Sequence, residues 1–221
     1  MSKKKFFKDL KRFNNKGDII LYKQALKFIE KKEQEKAAKI LEDLYYKDST
    51  NELYANQLAS LYVNLKQNLK AKNIYIKLIQ DKKYNINLCI NLSSIYIEEN
   101  SFYEAINICK YGLKIDTNSS LLNYNLSLAY LLNNQYDEAD KIITIINEDS
   151  TNKINVCILK CLIYVKLHQG GECLKIIESL SNENFFDTFY SNLIGRLIIF
   201  SEVDFALKIL NRKPLENKKN S

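Results

Sequence analysis

One pattern of residue types returns about every 34 residues along most of this chain, and an internal period of that length restricts the fold more than any local motif does. The clearest copy reads Ala55-x-x-Leu58-Ala59-x-x-Tyr62, followed by Ala71-x-x-x-Tyr75. The next reads Cys89-x-x-Leu92-Ser93-x-x-Tyr96 with Ala105-x-x-x-Cys109. A third is Asn123-x-x-Leu126-Ser127-x-x-Tyr130 with Ala139-x-x-x-Ile143, and a fourth is Cys157-x-x-Lys160-Cys161-x-x-Tyr164 with Cys173-x-x-x-Ile177. A looser early copy places Ala25, Phe28, Ala37 and Leu41 in the same columns. A last copy places Gly195, Ile198, Ala206 and Leu210 there with one residue missing between its helices, which makes six copies in all.

The spacing within each copy is helical, and its small residues have a physical purpose. A small side chain on the first helix (Ala25, Ala59, Ser93, Ser127, Cys161, Gly195) faces one on the second (Ala37, Ala71, Ala105, Ala139, Cys173, Ala206), so the two backbones can approach closely. Tyr62, Tyr96, Tyr130 and Tyr164 fill the space beside that contact, each burial contributing about 2 to 3 kcal/mol. Polar clusters such as Asp48-Ser49-Thr50-Asn51, Asp116-Thr117-Asn118-Ser119 and Asp149-Ser150-Thr151-Asn152 fall between copies and supply helix caps. With five glycines and one proline the chain has little material for many short strands, and an all-helical protein is expected.

These columns resemble the tetratricopeptide repeat, whose pattern is a large residue, Leu, a small residue and Tyr on the first helix, then Ala and an aromatic on the second. The resemblance spans residues 18–211 and implies an all-α, right-handed superhelical solenoid of about six tandem helix-turn-helix repeats. The copies fall near 18–51, 52–85, 86–119, 120–153, 154–187 and 188–211, between a basic N-terminal segment, 1–17, and a basic C-terminal tail, 212–221. Two departures from the family pattern stand out. Its terminal proline is missing at Ser49, Lys83, Thr117 and Thr151, and Gln24 and Lys160 replace the usual Leu.

A net charge of +7 suggests nucleic acid or membrane until it is divided along the chain. Lys3, Lys4, Lys5, Lys8, Lys11, Arg12 and Lys16 face a single acid, Asp9, and Arg212, Lys213, Lys218 and Lys219 face only Glu216. The body between them is close to neutral. In the N-terminal segment Phe6, Leu10 and Phe13 recur at helical spacing among lysines. That pattern suits either a cap over the apolar side of the first repeat or a peripheral tether to an anionic membrane surface or nucleic acid, through Lys3, Lys4, Lys5, Phe6, Lys8, Lys11 and Arg12. Nucleic acid is disfavoured. The five cysteines form no C-x-x-C pair, no signal-peptide core follows the start, and the longest apolar stretch, Ile154 to Leu167, is too short for a membrane span. A cytoplasmic protein is expected, with association at the cytoplasmic face of a membrane as the alternative.

No glycine-rich phosphate loop, activated nucleophile or paired carboxylates appear, so no catalytic residue, cofactor or metal is implied. Cys157 and Cys161 lie four apart but lack further ligands, Cys161 and Cys173 are expected as packed thiols, and His168, the only histidine, falls in an exposed turn. The expected function is a scaffold, adaptor or chaperone-like subunit that holds another protein. In the family's fold the first helices line the inner surface, where the fourth and fifth copies are apolar: Tyr124, Asn125, Leu128, Leu131 and Leu132, then Ile158, Leu162 and Val165. A helix that is apolar all round needs a cover. A partner's apolar peptide or amphipathic helix, a homodimer through this face, and tight curvature of the array itself are the three candidates. Gln57, Asn91 and Asn125 share one column and form a candidate ladder for an extended peptide. Tyr22 and Leu26 stand where a clamp for a C-terminal carboxylate needs a basic residue and an amide.

Overall fold

Asparagine or serine at the start of the first four copies, and a sharp reversal in the middle of each copy, divide the chain into helical hairpins. The structure, a computed structural model, describes residues 15–81, 85–146 and 153–211, and all regular structure among them is helical. The chain divides into two compact units at Glu99/Asn100. The first contains α1 (Lys16–Glu30), α2 (Gln34–Lys47), α3 (Glu52–Asn64), α4 (Asn68–Gln80) and α5 (Ile86–Glu98). The second contains α6 (Phe102–Ile115), α7 (Ser120–Leu132), α8 (Tyr136–Ile143), α9 (Lys153–Lys166), α10 (Gly170–Leu180), α11 (Phe186–Ile199) and α12 (Val203–Leu210).

The period is written in the backbone as well as in the side chains. Lys32, Lys66, Asn100, Asn134, His168 and Ser201 all adopt left-handed φ values, between 58° and 61°, and none is glycine. In the first hairpin the Glu33 N–H donates to the Phe28 carbonyl at 2.9 Å and the Lys32 N–H to the Ile29 carbonyl at 3.0 Å. This 6→1 and 5→2 pair closes the C-terminus of α1. It recurs at Gln67 with Tyr62, Gln135 with Tyr130, Gln169 with Tyr164 and Glu202 with Leu197. The second helix of each hairpin then starts without a side-chain cap. Four first helices, α1, α3, α5 and α7, are capped by side chains instead: Asn15, Asn51, Asn85 and Ser119 accept from the N–H groups of Asp18, Leu53, Leu88 and Leu122, whereas α11 starts at Phe185 without one.

Both small-residue columns are in the core. Ala25, Ala59, Ser93, Ser127 and Cys161 are fully buried, as are Ala37, Ala71, Ala105, Ala139 and Cys173. Within the second unit the columns touch: Ser127 Oγ donates to the Ala139 carbonyl at 2.9 Å, and Cys161 Sγ lies 4.0 Å from the Cys173 carbonyl. The cysteines are free, and hydrogen bonding to Cys173 together with burial pushes the Cys161 thiol well up from its ordinary value. Tyr62 and Tyr130 are buried, while Tyr96 and Tyr164 are half-buried.

The last copy differs from the sequence reading. Gly195 and Ile198 are exposed, and the buried ridge of α11 is Phe189, Leu193 and Leu197. Leu193 therefore holds the Leu column, Ile194 the small column and Leu197 the Tyr column. The turn residues His168 and Ser201 are 33 apart rather than 34, yet Ala206 follows Ser201 by the same five positions as Cys173 follows His168. The missing residue therefore lies before α11, not between the helices of the last hairpin. Helical spacing cannot distinguish the two placements, because a one-residue slip leaves another apolar residue within 100° of the core direction.

Candidate functional site

The inner helices of the second unit are apolar because they pack against one another. Within this unit α9 packs against α7, and α11 against α9. Leu131, Ile158, Leu162 and Val165 are accordingly only 2%, 6%, 4% and 6% exposed. These four were expected to face a partner; neighbouring helices of the same unit cover them, so the third candidate, packing of the array itself, accounts for most of the apolar stripe. Asn125 is also buried, and Leu132 is half-buried.

What stays open is a cavity of about 140 Å³ between α7, α9 and α11. Half-buried Tyr124 and Leu128 form one wall, with Ile158, Leu159 and Leu162 as the floor. Asn155, Asn192, Arg196 and half-buried Phe200 form the opposite rim. Of the residues expected to bind a partner, the fold thus brings Tyr124, Leu128, Ile158 and Leu162 to one place. Its polar contribution was missed. Arg196 is exposed, no carboxylate among the described residues pairs with it, and its charge reaches Tyr124, where it opposes the upward push that burial gives the phenol. The i, i+4 ridge Phe189–Leu193–Leu197 was the signal that would have placed Asn192 and Arg196 on the side facing α9.

The amide column is less uniform than its spacing suggested. Asn91 Nδ2 donates to the Tyr75 hydroxyl at 2.8 Å, so this amide is engaged within the first unit, where Gln57 is half-buried. Burial pushes the Tyr75 phenol up to about 12. Lys3, Lys4, Lys5, Phe6, Lys8, Lys11 and Arg12 lie outside the described residues. No described helix is long and apolar enough to cross a membrane, and no group of three or more potential metal ligands occurs among the described residues. His168 is exposed in its turn.

No family model and no curated protein matches this chain. Solved structures do match in fold. A tetratricopeptide repeat protein from Parabacteroides merdae aligns with a TM-score of 0.72 at 16% identity, over 88% of this chain and 77% of that one. MamA from Desulfovibrio magneticus RS-1 gives 0.70 at 11% identity, over 77% and 98%, and MamA MSR-1 gives 0.65 at 17%, over 79% and 98%. The chain has the tetratricopeptide-repeat fold.

Proposed function

We propose that this protein is a non-catalytic interaction scaffold that holds a partner through the cavity between α7, α9 and α11. The observation that carries the reading is a pocket with an apolar floor and a polar rim, on which the Arg196 guanidinium has no carboxylate partner among the described residues. A cavity of about 140 Å³ is below the usual ligand-pocket range of about 300–1,000 Å³, so it suits one large apolar side chain rather than a cofactor or a whole helix. Arg196 selects what stands beside that side chain: a carboxylate, which a guanidinium binds in a bidentate geometry. Asn155 and Asn192 offer amides to the partner's backbone. The favoured partner is therefore an extended or helical segment with an apolar anchor next to an acidic residue.

Selection of a displayed random-peptide library on the purified chain tests this. Peptides pairing an apolar anchor with a neighbouring acid should be enriched, and Leu128→Glu should abolish their retention while leaving helicity unchanged. Leu128 is the right position because it is half-buried, whereas a charge at Leu162 would be forced into the core. Enriched peptides that bind the Leu128→Glu variant equally well would place the binding surface elsewhere and overturn the proposal.

A further inference from the structure

Two lysines, one at each end of α9, hold α11 in place. The helices pack on one another, and apolar contacts of that kind resist separation without fixing how one helix slides along the other. Directional bonds fix the rest. At the start of α9 the Lys153 ammonium lies 2.9 Å from a Glu183 carboxylate oxygen and 5.3 Å from the centre of the Phe185 ring, just ahead of α11. At its end the Lys166 ammonium donates to the Phe200 carbonyl at 3.0 Å and to Glu202 Oε1 at 2.7 Å, just beyond α11. The Lys166 and Glu202 side chains are 22% and 29% exposed, so this ion pair is partly shielded from water. One repeat earlier the place of Lys166 is taken by Leu132, whose side chain has no donor to offer the turn after α9.

We infer that Lys166 is a positioning residue for the partner site: given that the cavity between α7, α9 and α11 receives the partner's apolar anchor, as proposed above, the Lys166 bonds set its width and so which anchors it admits. The floor residues Ile158, Leu159 and Leu162 belong to α9, whereas Arg196 and Phe200 on the opposite rim stand at the end of α11 that Lys166 holds. One of the two bonds acts on a rim residue directly, through the Phe200 carbonyl. The Phe200 N–H in turn donates to the Arg196 carbonyl at 2.9 Å, so the two rim residues move together. A rim fixed before binding spares the complex the cost of ordering it. A cavity of about 140 Å³ is also overpacked by too large an anchor: leucine or phenylalanine fits, and an indole has to push the rim outward.

Titration calorimetry on the full chain, with two peptides that carry leucine or tryptophan beside the same glutamate, tests this. Wild type should prefer the leucine peptide about tenfold. Lys166→Met keeps the apolar stem and loses both bonds. It should bind the leucine peptide about threefold more weakly, with the preference reduced to about threefold or less and helicity unchanged. Lys166→Arg keeps donors at that place and should restore the preference. A general loosening of the fold would weaken both peptides equally, so an unchanged ratio in Lys166→Met overturns the inference, as does a ratio that Lys166→Arg fails to restore. Leu128→Glu separates this role from the site itself. Binding that Leu128→Glu abolishes, with a ratio indifferent to Lys166→Met, refutes the positioning role alone; binding indifferent to Leu128→Glu, or no binding by wild type, removes the anchor site and the positioning role with it.

Discussion

Lys32→Gly should stabilise this protein although it removes a side chain and adds no contact. Lys32 sits at φ 61°, where an L-residue holds its Cβ against the following carbonyl at a cost of about 1–2 kcal/mol that glycine does not carry. Glycine restores part of that cost to the unfolded chain, about 0.5–1 kcal/mol of backbone entropy. The difference favours the variant by about 0.5–1 kcal/mol. In a chain of this size that is a rise of about 2–4 °C in Tm, or a matching rise in urea midpoint at constant slope. Lys32→Ala is the control, since alanine keeps the Cβ and with it the strain. Asn134→Gly should gain only a few tenths of a kcal/mol, because asparagine tolerates the left-handed region better than lysine. Equal stability of the glycine and alanine variants at position 32, or an equal gain at position 134, would refute the strain argument.

Three further outcomes follow from the packing. Tyr75 ionises at about 12 in the fold, because burial disfavours the phenolate, against 10.0 for an ordinary tyrosine. A group whose pKa is raised on folding contributes stability that is complete below the ordinary value and lost as pH rises through the folded one. Urea midpoints should thus fall between pH 10 and about 12, and Tyr75→Phe should flatten that fall. Cys89, Cys109, Cys157, Cys161 and Cys173 are all buried, so a water-soluble disulfide reagent should label none of them in the native protein and all five after denaturation. Gly195→Leu should be stabilising by about 0.5–1 kcal/mol in thermal denaturation, since a Cβ at Gly195 meets nothing within 4 Å; strong destabilisation would mean that Gly195 packs in the small column after all.

The hairpin repeat was legible because it is a packing rule. A small residue favours close approach of two backbones, and the columns headed by Ala25 and Ala37 carry that preference through the first five copies, with Ile194 the exception in the last. The left-handed turns were not legible, because their usual marker, glycine, is replaced by lysine, asparagine, histidine and serine. The candidate site was half legible. Leu128 and Leu162 declared an apolar inner face, but periodicity does not say which apolar residues a neighbouring helix will cover, so Leu131 and Val165 were placed with them. Arg196 was hidden by the register of the last copy, where a missing residue moves every column by one.

The account rests on Arg196 and the cavity beside it, and one affinity comparison tests both. A peptide with an apolar anchor and a neighbouring glutamate should bind the wild-type chain at least about tenfold more tightly than it binds Arg196→Glu, and replacing that glutamate with lysine should reverse the order. Equal affinity of both peptides for both proteins would contradict the account, because the cavity would then be a packing gap with no part in recognition.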